Sequence, residues 1–284
     1  MTQLAERLDP FLSSLFPEET DATGLSAADR DALRTYLGEV RIGLDLVAPF
    51  LRPGQRILEI GSGIGALGHF LAGQGLDIRG IEPSGSGFDL MDRLARHVSE
   101  VAGPTGYTVA DRAAEDLDPA RDGPFDLIFS VHVLEHVGNL DAAFCAMEGV
   151  LKPGGKMVHL CPNYRFPYDP HFGVPLLFWS PAMTHALHAR RIDAHKGIWD
   201  SLNFIGAGRL KRLARAQGLS VDFHRGVMAD TFRRLNDDPV FRQRHSGLAG
   251  RVASSLTRSP LFKLVEAWPR QWASPMAVTL GKPE

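Results

Sequence analysis

A glycine-rich string, followed by a second strand that ends in an acid, constrains the fold of this chain more than any other feature. Residues 57–65 read Ile-Leu-Glu-Ile-Gly-Ser-Gly-Ile-Gly, and a second apolar run ends at Glu82. The pattern predicts a buried strand, a glycine turn that opens a helix, and a second strand tipped with a carboxylate. Such a unit can hold a nucleoside, because glycines let the backbone approach the ligand and an acid accepts hydrogen bonds from ribose hydroxyls.

The spacing of the glycines distinguishes between nucleoside ligands. A dinucleotide site has the order G-x-G-x-x-G and faces a pyrophosphate with the N-terminus of a helix. Here the order is Glu59-x-Gly61-x-Gly63-x-Gly65. The acid at position 59 would repel a pyrophosphate, but it can accept hydrogen bonds from an ammonium directly or through water. The turn therefore favours S-adenosylmethionine, which carries an amine and a ribose but no phosphate.

Two further strings follow in the order and at the separations of a known family. Phe125–Val131 is an apolar run that leads into His132-Val133-Leu134-Glu135-His136. Leu151-Lys152-Pro153-Gly154-Gly155-Lys156 is predicted to end a helix and turn tightly into a strand at Met157–Cys161. With these strings the chain resembles the class I S-adenosylmethionine-dependent methyltransferases, strongly over residues 55–162 and weakly elsewhere. The resemblance implies a transferase that uses S-adenosyl-L-methionine and releases S-adenosyl-L-homocysteine.

Alternating strands and helices predict an α/β fold with a Rossmann-like, doubly wound sheet and helices on both faces. Predicted strands lie near 56–60, 77–82, 106–109, 125–131 and 156–161, with helices near 64–73, 86–101 and 140–151. The resemblance implies seven strands, mostly parallel with an antiparallel last strand at 277–280, and helical insertions on the substrate side. The predicted segments are an N-terminal helical segment (1–52), a cofactor-binding core (53–162), a substrate-side insertion or lid (163–202), and a C-terminal completion of the sheet (203–284) with a helical insertion at 231–274.

The resemblance also assigns roles around the cofactor. Glu59 organises its methionine end and Glu82 holds its ribose. Relatives often carry an Asp for the adenine amine where this chain has Ala113, so adenine is expected at backbone groups of Ala114, or at Asp111 if the loop is longer. The predicted cofactor-binding residues are Glu59, Gly61, Ser62, Gly63, Gly65, Glu82, Pro83, Ala114, Glu115, Ser130 and His132.

Candidates for catalysis lie in the insertion and after the fourth strand. Methyl transfer is an in-line displacement that depends on positioning and exclusion of water, and a hydroxyl acceptor usually needs a base. His171 or His132 is the predicted base, with Asp169 and Tyr164 as further candidates; alternatively, His171 and Tyr164 only fix the loop. The string from Asn163 onward resembles bacterial methyltransferases of surface polysaccharide or lipid tailoring.

A metal site is considered at the end of the fourth strand. His132, Glu135 and His136 would share one face of a helical turn, at a spacing that can bind a metal. Some quinone-pathway methyltransferases carry an acid at the first position and are thought to use magnesium there. Histidine in place of that acid disfavours magnesium, so no metal is predicted.

The predicted function is methyl transfer to a small-molecule, sugar or glycolipid acceptor, with a hydroxyl as the expected methylated group. The alternatives are N- or S-methylation of a small metabolite, and a non-catalytic cofactor-binding partner subunit. Nucleic acid is not an expected substrate, because no Asn/Asp-Pro-Pro-Tyr/Phe string follows the fourth strand and the pI is about 6.6.

Charge, cysteine content and hydropathy bear on location and partners. No apolar run reaches the ~18 residues of a spanning helix, and the acids Glu6 and Asp9 are unlike a signal peptide. Cys145 and Cys161 are the two cysteines, which favours a reducing cytoplasm. Residues 208–270 hold 13 Lys/Arg and 5 Asp/Glu. This basic third predicts either peripheral contact with a membrane or another anionic partner, or a solvated helical face; the oligomeric state is not predicted.

Overall fold

The computed structural model describes residues 2–16, 25–83, 89–244 and 248–284. Its helices are α1 Thr2–Leu15, α2 Ala27–Val47, α3 Ala66–Gly73, α4 Asp89–Ala102, α5 Leu140–Gly149, α6 Pro181–Ile192, α7 Lys196–Ser201, α8 Ala207–Ala216, α9 Val227–Asp237, α10 Pro239–Arg244, α11 Leu248–Leu256 and α12 Phe262–Glu266. Its strands are β1 Arg56–Ile60, β2 Asp77–Ile81, β3 Thr108–Ala110, β4 Phe125–Val131, β5 Leu151–Cys161, β6 Tyr168–Asp169, β7 Val174–Pro175, β8 Ser220–Phe223 and β9 Met276–Gly281.

Seven of the strands form one sheet with the order β3-β2-β1-β4-β5-β9-β8. Strand β1 pairs in parallel with β2 and with β4, and β2 pairs in parallel with β3. The chain that leaves β9 runs antiparallel to the start of β5, since Gly154 N donates to Pro283 O at 3.1 Å and Lys282 N to Gly155 O at 3.0 Å. The predicted α/β class, a mostly parallel Rossmann-like sheet with an antiparallel last strand, is confirmed.

Residues 1–131, 142–158 and 281–284 make up the first of two compact units. Strand β1 is buried from Ile57 to Ile60, as expected for a central parallel strand. Helix α2 begins at a capping box, in which Asp29 N donates to the Ser26 hydroxyl at 3.1 Å and Ser26 N to the Asp29 carboxylate at 3.0 Å. It ends at Val47, two residues before Pro49. The first residues of the predicted helix 86–101 lie outside the described residues.

Residues 132–141 and 159–280 make up the second unit. The predicted insertion is ordered by an antiparallel pairing of β6 with β7, in which Asp169 lies opposite Val174. Its apolar core consists of Tyr164, Phe172, Val174, Leu176, Ile192, Trp199 and Leu202. The segment predicted as a helical insertion at 231–274 contains α10, α11, α12 and most of α9, with 245–247 outside the described residues.

The predicted helix end at residues 151–156 is wrong. Helix α5 ends at Gly149, and the chain is already in β5 from Leu151. Gly154, at φ 72°, takes a left-handed conformation that suits glycine, and the segment remains a strand because it pairs with the C-terminal residues. That partner lies more than 120 residues further along the chain, so local turn chemistry could not reveal it.

Candidate active site

The glycine turn between β1 and α3 is held against the end of β2. Gly61 N and Ser62 N donate to Ile81 O at 2.9 and 3.1 Å. Gly63 and Gly65 have φ of 53° and 74°, a region that a side chain makes costly. The turn therefore opens helix α3 with bare backbone, as the sequence predicted, and its contact with a cofactor stays a prediction.

Glu82 follows β2 and reaches back to this turn. One of its carboxylate oxygens accepts a hydrogen bond from Gly63 N at 2.8 Å. Burial raises the pKa of Glu82, and the hydrogen bond from Gly63 opposes that rise. The acid is thus held beside the glycine backbone, and its contact with a ribose stays a prediction.

Glu59 is buried within β1 and is bonded to a residue that sequence analysis did not single out. The Tyr107 hydroxyl donates to its carboxylate at 2.5 Å. Burial raises the pKa of Glu59 to about 8, against the lowering effect of the Tyr107 hydrogen bond and with a further rise from Glu82. Without a cation beside it, Glu59 therefore holds a proton at neutral pH.

Two glycines make the space that Tyr107 occupies. A Cβ at Gly68, one turn into α3, would lie 2.5 Å from the Tyr107 Cε1 and overlap the rest of its ring, and a Cβ at Gly80 would overlap its hydroxyl. His69 supports the ring edge-to-face, with centroids 5.1 Å apart. The available sequence signal was a fourth glycine three residues after Gly65 and a glycine two residues before Glu82.

Replacing Gly68 with alanine is expected to destabilise the protein by about 1–3 kcal/mol, since the added methyl group overpacks the Tyr107 site. Gly73→Ala, in the same helix, is the matched control. Its Cβ would meet its nearest atom, Thr105 Cγ2, at 3.9 Å, so the change is expected to be neutral or slightly stabilising. Denaturant unfolding followed by circular dichroism measures both. Equal stability of the two variants would contradict the packing role of Gly68.

The remaining predicted cofactor-binding residues of the first unit lie after β2, after β3 and within β4. Ala114, which is buried, and Glu115 lie in a single 3-10 turn at Ala114–Asp116, shortly after β3. Pro83 is exposed and directly follows Glu82, and Ser130 is buried within β4. Their roles stay predictions.

In the second unit, Glu135 is a fully buried carboxylate surrounded by imidazoles. Within the described part of the chain, neither of its side-chain oxygens accepts a hydrogen bond. Its Oε1 lies 3.7 Å from His132 Nδ1 and 3.9 Å from His171 Nε2. A buried carboxylate in this setting needs a positive partner, which a protonated imidazole or a bound cation can supply.

His171 is also oriented from its other side by Asp169. The Asp169 Oδ2 atom lies 3.3 Å from His171 Nδ1 and accepts a hydrogen bond from the Tyr164 hydroxyl at 2.8 Å. The Oδ1 atom accepts from Phe172 N at 2.7 Å, so the buried carboxylate is fixed through both oxygens. Burial, and next the charge of Asp169, raise the pKa of Tyr164, which therefore acts as a donor. The three predicted catalytic residues of the insertion are thus brought together.

His132 and His136 differ in their settings. His132 has φ of 56°, unusual for a non-glycine residue, and its backbone N donates to Leu160 O at 2.8 Å. His136 bonds the Ser201 hydroxyl through Nδ1 at 2.8 Å, and its ring meets that of His171 edge-to-face at 5.2 Å. Burial is the main cause that lowers the pKa of His136, which keeps it neutral near pH 7.

The arrangement predicted for a metal site is wrong in one respect. His132, Glu135 and His136 do not share a helical turn, because the 3-10 turn spans only Leu134–His136 and His132 precedes it. Among the described residues, one set has ligand atoms within 4.8 Å of one another, and it joins Glu135 and His136 to His171 instead. The absence of a metal stays a prediction.

Comparison with known proteins identifies similarity to methyltransferases. A family model described as a methyltransferase domain matches residues 33–223. An uncharacterized protein of Mycobacterium tuberculosis is 36% identical over 236 residues, which cover 81% of this chain and 77% of the relative. A ubiquinone biosynthesis O-methyltransferase of Xanthomonas axonopodis pv. citri is 32% identical over 193 residues, which cover 68% of this chain and 74% of the relative.

A solved structure shares the fold. It is the phosphoethanolamine N-methyltransferase 2 of Haemonchus contortus in complex with S-adenosyl-L-methionine, with a TM-score of 0.52 and 20% identity. The alignment covers 86% of this chain and 53% of the other, so this chain spans about half the length of that protein. At this identity the likeness bears on the fold alone.

Proposed function

The chain belongs to the family of methyltransferase domains and is an S-adenosylmethionine-dependent methyltransferase, and we propose that it methylates a hydroxyl group of a small-molecule, sugar or glycolipid acceptor. The observation that carries this proposal is His171, which lies between the buried carboxylates of Asp169 and Glu135. A hydroxyl must lose its proton during methylation, and a histidine held in this way is suited to receive it.

The first unit has the features that an S-adenosylmethionine site needs. Bare backbone at Gly63 and Gly65 permits close approach, and two buried or half-buried acids offer partners for an ammonium and a ribose. We assign Glu59 to the ammonium and Glu82 to the ribose hydroxyls. The others, Gly61, Ser62, Pro83, Ala114, Glu115 and Ser130, are proposed to line the same site, and the assignment of His132 to the cofactor is kept as a prediction. When bound, S-adenosylmethionine supplies an electrophilic methyl group on a sulfonium.

Glu82→Ala is expected to weaken binding of S-adenosylmethionine by about 5- to 150-fold, because ribose hydroxyls buried without a partner cost ~1–3 kcal/mol. Titration calorimetry measures the affinity. Glu100→Ala, which removes an exposed acid on α4, is the control for the loss of one negative charge. An affinity unchanged in the Glu82 variant would remove that residue from the site.

Deprotonation of the acceptor is assigned to His171. Taking up a proton converts its ring to an imidazolium between two buried carboxylates, which stabilise the positive charge. Asp169 keeps the ring in one orientation, with Nδ1 toward the carboxylate and Nε2 left to receive the proton. Asp169 and Tyr164 are therefore positioning residues, and residues 163–202 are proposed to cover the acceptor. His132 is the second candidate base.

Several relatives are O-methyltransferases, which agrees with a hydroxyl acceptor. Several proteins that match 60–68% of this chain are ubiquinone biosynthesis O-methyltransferases. The acceptor of these relatives is not assigned to this chain. Methylation of oxygen by relatives nevertheless agrees with a site that contains a histidine base.

Acceptor profiling tests the proposal directly. Purified protein is incubated with S-adenosylmethionine and with phenols, glycolipids, amines or thiols, and formation of S-adenosylhomocysteine is measured. Turnover with hydroxyl acceptors is expected, and Glu82→Ala serves as the binding-deficient control. Turnover confined to amines or thiols would replace the proposal with N- or S-methylation. Cofactor binding without turnover on any acceptor would favour a non-catalytic partner subunit.

A further inference from the structure

Two groups of large apolar side chains are exposed on the second unit. Phe178, Trp179, Met183 and Leu187 come from the insertion, and Leu261, Leu264, Trp268 and Trp272 come from the helical segment around α12. Phe178 is 78% exposed, Leu264 65% and Trp179 59%. Contiguous exposed apolar side chains of this size mark interaction sites. Together these eight residues are called the aromatic surface below.

Arg165 joins the two groups. Its backbone oxygen accepts a hydrogen bond from Trp179 Nε1 at 3.0 Å, and its guanidinium carbon lies 3.9 Å from the centroid of the Trp272 ring. The neighbouring Asn163 side chain donates to Gln271 O and Ala273 O at 3.0 and 2.9 Å, which fixes the start of the insertion against the segment that carries Trp272. Both tryptophans therefore contact the same arginine.

Two of the exposed aromatic residues have an unusual backbone conformation. Phe178 and Trp179 have φ of 49° and 55°, a conformation that costs free energy in bulky residues. The adjoining helix α6 is firmly capped, since the Ser180 hydroxyl accepts from Met183 N at 3.3 Å and the Thr184 hydroxyl from Leu177 N at 2.9 Å. The exposure of Phe178 and Trp179 is thus built into an ordered segment.

The two sequence segments that carry the aromatic surface are mainly positive. Residues 165–198 contain four Lys/Arg and two Asp/Glu, of which Asp169 is buried, and residues 251–272 contain four Lys/Arg and one Asp/Glu. Arg190, Arg191, Lys196, Arg258 and Lys263 are exposed. Tryptophan beside arginine and lysine, with leucine and methionine between them, is the composition of a membrane interface with anionic headgroups.

We propose that the aromatic surface docks the protein on a bilayer that contains anionic phospholipid. The apolar side chains enter the headgroup region, and the cations of the same two segments attract the lipid phosphates. Among the helices of the described ranges, none is both long and apolar enough to cross a membrane. A single-stranded RNA would match the charge, but it would leave Leu261, Leu264 and Leu187 without apolar partners. The proposal does not depend on the acceptor class.

Co-sedimentation of the full chain with lipid vesicles tests the proposal. Binding is expected to vesicles of phosphatidylcholine with about a quarter phosphatidylglycerol, and to fall in high salt. The double change Trp179→Ser and Trp272→Ser is expected to lower the partition coefficient at least about tenfold, because two aromatic rings that would enter the bilayer are lost. Arg258→Glu with Lys263→Glu is expected to abolish the preference for the anionic vesicles.

Matched controls separate the aromatic surface from general effects. Val101→Ser removes an exposed apolar residue of α4, and Arg96→Glu reverses an exposed charge of the same helix; both are expected to bind vesicles like the wild type. Circular dichroism and affinity for S-adenosylmethionine verify that every variant is folded. The proposal is overturned if the wild type binds neither vesicle, if the control changes weaken binding equally, if an RNA oligonucleotide binds instead, or if the tryptophan changes alter only self-association in sedimentation velocity.

Discussion

His171→Ala is expected to lower the rate of methyl transfer to a hydroxyl acceptor about 10²- to 10⁴-fold, the usual contribution of a general base. Without the imidazole, the acceptor proton has no group to receive it between Asp169 and Glu135. Affinity for S-adenosylmethionine is expected to remain unchanged, because His171 belongs to none of the contacts assigned to the cofactor. Single-turnover kinetics with a verified acceptor measures the rate, and calorimetry measures the affinity.

Two companion variants make this test specific. His185→Ala removes another histidine of the insertion, which is paired with Asp193 at 2.8 Å, and it is expected to retain the wild-type rate. Asp169→Asn keeps the shape of the site but no longer stabilises the imidazolium, so it is expected to lower the rate and to change its pH profile. A structural role of Asp169 alone would lower stability without changing that profile.

A chelator distinguishes a base from a metal ligand at the same residue. The ligand atoms of Glu135, His136 and His171 lie close enough to hold an ion. If His171 acts as the base, excess EDTA is expected to leave the rate unchanged. Inactivation by EDTA, with recovery on addition of a divalent cation, would reassign His171 as a ligand. A rate within a few-fold of wild type in both His171→Ala and His132→Ala would mean that the acceptor needs no histidine base.

The features that could be predicted from the sequence are formed by residues that lie close together in the chain. The glycine turn, β1 and β2 follow from apolar runs and glycines within one βαβ unit, and Glu82 lies directly after the second strand. Tyr107 escaped notice because it meets Glu59 across 48 positions of sequence, and nothing near it marks it as a partner of an acid.

The same limit applies to the second unit. Its histidines and acids could be recognised from the sequence as candidate bases or metal ligands, but their grouping depends on how the insertion folds. The pairing of β6 with β7 places Asp169, and hence His171, by contacts that the sequence pattern does not encode. Local spacing consequently favoured His132 as a companion of Glu135 and His136, whereas the described residues group those two with His171.

The affinity for S-adenosylmethionine is expected to rise about tenfold between pH 6 and pH 7 and more slowly towards pH 8, roughly 20-fold over the whole range. Burial raises the pKa of Glu59 from 4.5 to about 8, so the free protein holds a proton on this acid at pH 6. Pairing with the cofactor ammonium requires the carboxylate, and binding therefore releases that proton. Near pH 8 the gain ends, since an α-amino group has a pKa of about 7.7–8.0 and begins to lose its own charge.

Calorimetry at pH 7 in buffers of different ionisation enthalpy is expected to show release of about one proton on binding. Glu59→Gln keeps an acceptor for the Tyr107 hydroxyl but removes the titration, so its affinity should be weak and nearly independent of pH. Glu100→Gln, an exposed acid, should keep the wild-type slope. A pH-independent affinity in the wild type would separate Glu59 from the ammonium.

The stability of the free protein gives an independent measure of the same carboxyl. Because the folded pKa of Glu59 lies above the unfolded value, the native state binds the extra proton between pH 4.5 and about 8, and its contribution to stability falls as pH rises through that window. Glu59→Gln removes this loss, so the variant is expected to gain stability relative to the wild type as pH is raised from 5 to 8. Such a variant would be more stable at pH 8 and yet defective in cofactor binding, a combination that general misfolding cannot produce. This result would show that burial of the ionised Glu59 destabilises the free protein, and that the ammonium of the cofactor offsets this destabilisation on binding.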